Sequence, residues 1–285
     1  MKFIIGFIVV IGCVLGGYVL HHGNLAVLWQ PTEVLIIVGA AVGSFIIGTP
    51  GPLIKMVLKS MKLLFKGMPF KKADYIEVLV MQYAVYKTMR SKGMLEMEQH
   101  IENAHSSSLF NGYKTFSSNH HALDFFADYL RLMTMGVDNH YELEDLMEKE
   151  IASHRHEAQH ISHAVNTMAD GMPALGIVAA VLGVIITMGS ITEPPEILGK
   201  LIGAALVGTF LGVLLAYGFI GPMGRYMGDV LEAQVRYMEC LKAGLVAYAK
   251  GVAPAVAVEY ARTSIDVMCK PSFAEVENAC QGAGG

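Results

Sequence analysis

With 285 residues, 53% of them hydrophobic and 16% charged, and a mean hydropathy of +0.45, the chain is too apolar for an ordinary soluble domain and belongs in a membrane. Its formal net charge of −4 is mild and points to no nucleic-acid partner. The four cysteines, Cys13, Cys240, Cys269 and Cys280, form no CxxC pair and no metal-ligand spacing, so free thiols are expected and neither a metal nor a cofactor is called for.

The first apolar run, Phe3–Leu20, follows Lys2 and has the short core and positive flank of a signal peptide. It ends, however, in Tyr18-Val19-Leu20-His21-His22 with no small-x-small cleavage site. Its Gly12-x-x-x-Gly16 spacing suits close helix contact in a bilayer, so it reads as a first span. After a loop holding Trp29 and Pro31 comes Val34–Thr49, a second span with Gly39-x-x-x-Gly43, delimited by Glu33 and by Pro50-Gly51-Pro52. Lys55, Lys59, Lys62 and Lys66 then form one stripe of a helix whose other face offers Val57, Leu58, Met61, Leu64 and Phe65. Such a helix lies on the inner membrane surface with its ammonium groups near anionic lipid; a solvated charged face accounts for the same spacing.

From Phe70 to Asp170 the chain reads as helical and is punctuated at Gly93, Ser106-Ser107-Ser108, Asn111-Gly112 and Gly136. Leu123, Phe126, Leu130 and Met133 recur every three to four residues and mark a buried helix face. Asn139 with Glu142 can cap a helix running without a breaker from His140 to Asp170, a stalk leading into the third span.

Next comes a hairpin of two apolar runs, Met172–Ile191 and Leu198–Ile220, joined by Thr192-Glu193-Pro194-Pro195-Glu196. Each is long enough to cross a hydrocarbon core of roughly 30 Å. Apart from Lys200 at the rim they hold no ionisable acid, base or histidine, yet they carry Thr187, Thr209, Tyr217 and many small residues. That is the composition of a packed pore wall without its own proton carrier, which a second chain must then supply. Pro173 stands in the first turn of the third span, where simple helix initiation explains it as well as function does. Pro222 clashes with the carbonyl of Gly218 if the fourth span continues to Lys250, so a bend is expected there. Ser272-x-x-Glu275 after Pro271 opens a last short helix.

Every Lys and Arg except Lys2 and Lys200 lies between spans two and three or after span four, which places both termini in the cytoplasm. The expected fold is an all-α integral membrane protein with four transmembrane helices and a large helical cytoplasmic domain. Its expected parts are residues 1–50 (spans one and two), 51–170 (cytoplasmic helices), 171–222 (the pore-wall pair) and 223–285 (C-terminal cytoplasmic helices).

His156-Glu157-Ala158-Gln159-His160 matches HExxH, the pattern that sets two imidazoles and a carboxylate on one helix face in zinc proteases. A third ligand is needed. His163 lies on the same face, where a straight helix cannot wrap three ligands around one ion, and the longer pattern's third His is replaced by Asn166. With His154 and Arg155 alongside, a polar histidine-rich stalk is the plainer reading; a membrane metalloprotease is the alternative function.

Gly16-Gly17-Tyr18, Gln30-Pro31 and Gly43-Ser44-Phe45-Ile46, and above all the segments from Asp170 to Ala180, Val207 to Gly212 and Ala216 to Pro222, closely resemble MotA-type subunits of the bacterial flagellar stator. The resemblance covers nearly the whole chain. ExbB and TolQ proton channels are similar in the last two spans but have only three. What the resemblance implies is not an enzyme but a stator subunit of the bacterial inner membrane, forming a ring, a pentamer, around a MotB-type dimer whose single transmembrane Asp accepts the proton. It also implies that Arg90 and Glu98 contact a FliG-type rotor protein, although from the sequence alone both read as a solvated face. By the same resemblance Pro173 and Pro222 serve conformational change, Asp170 and Thr209 take inner pore positions, and Tyr217 belongs to the same wall. Sodium-driven relatives carry threonine at the position of Ala180, so this chain is expected to couple to protons. The histidine-rich stretch 154–163 departs from the family pattern.

Overall fold

The computed structural model describes residues 2–136 and 139–282; the ends of the two outer sequence segments, residues 1 and 283–285, lie outside them. Among the described residues every regular element is helical: α1 (Lys2–Leu20), α2 (Leu25–Leu28), α3 (Pro31–Gly48), α4 (Gly51–Ser60), α5 (Leu63–Lys66), α6 (Lys72–Lys92), α7 (Met94–Glu102), α8 (Ser108–Asn111), α9 (Lys114–Ser118), α10 (His120–Thr134), α11 (His140–Met188), α12 (Pro195–Val213), α13 (Gly221–Ala249), α14 (Pro254–Thr263) and α15 (Phe273–Gly282). A π-helical stretch, Leu214–Ile220, joins α12 to α13. Four helical segments, Phe3–Leu20, Leu25–Gly48, His140–Met188 and Pro195–Ala249, are long and apolar enough to cross a membrane.

The chain divides into two compact units, one formed by Met1–Gly67 and Glu157–Val230, the other by Met68–His156 and Leu231–Gly285. The first holds the apolar spans. Ile37 and Ala41 of α3, Met172 and Ala179 of α11 and Ala216 of the π stretch are its buried centre, whereas Ile4, Ile8, Leu35, Ile47, Ile185 and Ile186 are exposed, as helices facing hydrocarbon require. The expected lysine-striped helix is two short ones, α4 and α5. Val57 and Leu64 are buried on it, while Leu58, Met61 and Phe65 stay exposed along with the four lysines.

The second unit is a helical domain with its own core. Leu123, Phe126 and Leu130 are buried as the periodicity requires, and Met133 is half-buried beside them. The rings of Phe70 and Tyr237 stack at 4.1 Å and those of Tyr86 and Tyr248 at 4.8 Å. Gln82 is fully buried, and its polar ends are satisfied by the Tyr86 hydroxyl, which donates to Gln82 Oε1 at 2.8 Å, and by the Cys240 carbonyl, which accepts from Gln82 Nε2 at 3.5 Å. The cap reading holds at both places: Tyr141 N donates to Asn139 Oδ1 at 3.1 Å, and Ser272 N donates to Glu275 Oε2 at 2.7 Å. Within this unit α11 and α13 run antiparallel and are tied by Arg155 to Glu239 at 2.5 Å, by Glu148 to Lys242, and by Glu144 to Lys250 at 3.0 Å. Exposed pairs of this kind contribute about 1 kcal/mol or less each. Their value here is register.

Candidate pore wall and adjoining cavity

Two helices approach most closely where neither has side chains, and α11 and α12 are built for that. A Cβ on Gly176 would stand 2.8 Å from the Gly208 carbonyl oxygen and 3.0 Å from Gly212 Cα; one on Gly212 would stand 2.7 Å from the Met172 carbonyl oxygen. Farther along the hairpin, a Cβ on Gly183 would meet Ala205 Cβ at 2.7 Å. The small-residue contact continues beyond the π stretch, where Ser162 Oγ donates to the Gly224 carbonyl at 2.9 Å and Asn166 Nδ2 to Ser162 Oγ at 3.3 Å. The hairpin is therefore one seam of backbone contact from Gly183 down to Ser162.

Where this seam meets the π stretch the helices part around a cavity of about 230 Å³ lined by Asn166, Ala169, Asp170, Ala216, Tyr217, Gly221 and Arg225. The sequence reading named Asp170 and Tyr217; the structure brings them to one cavity. It missed Asn166 and Arg225, which fall in stretches legible only as helix extensions. The cavity combines a carboxylate, a guanidinium, a phenol and an amide, enough to hold an ordered chain of water.

Pro173 is placed differently from expectation, and at Pro222 the helix continues, as the expected bend presupposes. Pro173 does not start a helix but lies inside the 49-residue α11, so helix initiation is excluded as its reason and the Ala169 carbonyl has no amide hydrogen four residues on. Pro222 does not break its helix either. The turn before it winds as π-helix, with Gly221 N–H donating to the Ala216 carbonyl five residues back. Such π segments are found mostly at functional sites. The Gly218 backbone also lets α1 in close: a Cβ there would stand 3.3 Å from Val10 Cγ1, and the Phe7 and Phe219 rings lie 4.7 Å apart.

Ala180 and Thr209 are half-buried at mid-hairpin. They lie next to Gly208, whose added Cβ would stand 3.1 Å from Ala180 N. The hairpin itself contains no carboxylate, as expected, but α3 brings one to it. Glu33, legible in the sequence only as a boundary marker, is 7% exposed, and its Oε2 has no hydrogen-bond partner.

Arg90, in the last turn of α6, and Glu98, on α7, are both exposed, and neither takes part in an ion pair among the described residues. Gly93, with φ of +84°, makes the sharp turn between their helices. The metalloprotease alternative finds no support. His156, Glu157, His160 and His163 are exposed along α11, and among the described residues no three potential ligands are grouped to hold a metal ion. The four cysteines are free.

Comparison with known proteins agrees with this architecture. Residues 4–93 match the model of the motility protein A N-terminal region, and residues 117–240 match that of the MotA/TolQ/ExbB proton channel family. Motility protein A of Escherichia coli is 42% identical over 277 residues, covering 97% of this chain and 94% of that protein. The chemotaxis protein LafT of Vibrio parahaemolyticus is 36% identical, covering 97% of each. In fold, the chain is similar to a subunit of C. jejuni MotAB, with a TM-score of 0.78 and 19% identity over 93% of this chain and 96% of the other. It is also similar to one of the flagellar MotAB stator complex of Bacillus subtilis, with a TM-score of 0.73 and 23% identity over 97% and 98%. By its sequence from end to end, the chain belongs to the motility protein A family, within the MotA/TolQ/ExbB proton channels.

Proposed function

We propose that the chain is the MotA-type stator subunit of a bacterial flagellar motor: with a MotB-type partner it forms a membrane channel that turns proton flow into torque on the rotor. The observation that carries this reading is the α11–α12 hairpin, a pore wall sealed by glycine contacts whose two apolar runs, Met172–Ile191 and Leu198–Ile220, hold no Asp or Glu. Such a wall conducts only with a carboxylate supplied from a second chain. The relatives named for a MotAB complex support a MotB-type partner and an oligomer. The finer form of the reading is a pentameric ring in the inner membrane with both termini cytoplasmic, consistent with basic residues concentrated beyond spans two and four.

Within it, Asp170, Thr209 and Tyr217 line the ion path, and Pro173 and Pro222 are the hinges. Arg90 and Glu98 meet a FliG-type rotor protein, a role supported by their exposure and by their taking part in no ion pair among the described residues. Ala180 sets the ion. A methyl group coordinates nothing, and one hydroxyl from Thr209 is a poor replacement for the several oxygens a dehydrated Na⁺ needs, whereas a proton needs only water and an acceptor. Each proton crossing releases about 2.3 kcal/mol per 100 mV. Steps that small require a lever, and α11, continuous from His140 to Met188, extends well beyond the hydrocarbon.

The test is complementation. A cell lacking its own stator genes should swim when given this chain with its partner, and the purified complex should contain both chains in a fixed ratio. A non-swimming cell whose membranes contain the assembled complex would contradict the reading.

A further inference from the structure

Glu33 brings a carboxylate from α3 to the pore-wall hairpin. Its Oε2 occupies the place where a side chain at Gly208 would stand. A Cβ on Gly208 would lie 2.7 Å from Glu33 Oε2, 3.1 Å from Ala179 Cβ and 3.1 Å from Ala180 N. Three helices thus converge on one carboxyl group: α3 carries it, α12 leaves room for it, and α11 passes it at residues 179–180. Gly208 lies about 20 Å along the helix from Pro195, inside the fourth apolar run, while Glu33 stands in the first turn of α3.

Helix packing alone does not require an acid here. A carboxylate in the first turn of α3 could be read as a partner for the free backbone N–H groups of that turn, but among the described residues Oε2 has no hydrogen-bond partner, and the side chain is 7% exposed. Ionisable groups within membrane spans are expensive and sit where ions pass. An uncompensated carboxyl there is satisfied by taking up a proton.

We propose that Glu33 is a second proton-binding site of the channel: its carboxylate accepts a proton from water on the periplasmic side and releases it toward the partner's carboxylate, with no bond changed other than O–H. The proposal rests on the proton-channel reading above. It also gives Gly208 a reason, since any side chain there displaces the acid, and it places the site at the depth of Ala180 and Thr209.

The experiment uses the complete complex in proteoliposomes under an imposed proton gradient, with a pH-sensitive dye inside. Wild type is compared with Glu33→Gln, which keeps the shape and removes the titration, and with Glu33→Asp, which keeps an acid. Infrared difference spectra between neutral and alkaline buffer record protonated carboxyl groups. Glu33→Gln is expected to assemble, to lose a carboxylic C=O band seen in wild type, and to pass protons several-fold more slowly; Glu33→Asp is expected to retain a band and part of the flux. Should Glu33→Gln fail to assemble, Glu33→Asp carries the test: its band present with flux between zero and wild type supports the site, and its band absent with full flux overturns it. Full flux in Glu33→Gln overturns the assignment of Glu33 while leaving the channel reading intact. A wild-type complex that passes no protons overturns the channel reading and this proposal with it.

Discussion

At the scale of single residues, the most informative group is Pro222. A π turn before it joins α12 to α13, and Gly221 N–H bonds one residue farther back than an α-helix would. Pro222→Ala restores an N–H that favours ordinary α winding and so straightens the junction. Such a variant should enter the membrane at wild-type level and lose most swimming speed; normal insertion with full torque would show the turn to be purely structural. Arg90 offers a different kind of test. It is exposed, belongs to the helical domain and makes no ion pair among the described residues, so Arg90→Glu should leave assembly untouched. Motility should fall severely and return in part when an acidic residue of the rotor is changed to a basic one. Wild-type swimming in the single variant would end the rotor assignment.

Among elements, the α11–α12 seam is where packing is least forgiving. Gly176→Ala sets a methyl group 2.8 Å from a backbone carbonyl oxygen and 3.0 Å from Gly212 Cα, and backbone cannot rotate away as a side chain can. Overpacking of this sort costs about 1–3 kcal/mol. The expected outcome is a lower melting temperature of the purified complex in detergent and loss of motility; an unchanged melting temperature would mean that the seam is looser than drawn. The seam also shows what a sequence can and cannot display. The glycines were visible as small residues in two apolar runs, and their lengths and flanks defined the spans. Which glycine faces which backbone was not visible, since that depends on the register of one helix against the other. The same limit hid the cavity. Asp170 and Tyr217 stand out within long apolar segments, but Asn166 and Arg225 look like any polar residues on a helix until α11 and the π turn bring them together. Glu33 does stand at the head of its helix, as its place in the sequence suggested, but its approach to Gly208 could not be read there, because it depends on how α3 packs against α12.

For the molecule as a whole, the account joins an ion path to a lever. The apolar unit contains the wall, the hydroxyls and the hinges; the helical domain contains Arg90 and Glu98; α11 and α13 each belong to both units. The four spans were legible because hydrocarbon demands length and apolarity, and the helical domain because its faces repeat at helical period. The continuity of α11 through Pro173 was not, because proline's cost inside a helix is set by what surrounds it. The central claim is that proton flow through this wall drives rotation. It is tested most directly by recording the rotation of tethered cells whose only stator contains this chain and its partner, first with sodium replaced by potassium and then with a protonophore added. The account predicts unchanged rotation without sodium and arrest by the protonophore; rotation that stops without sodium and survives the protonophore would contradict it.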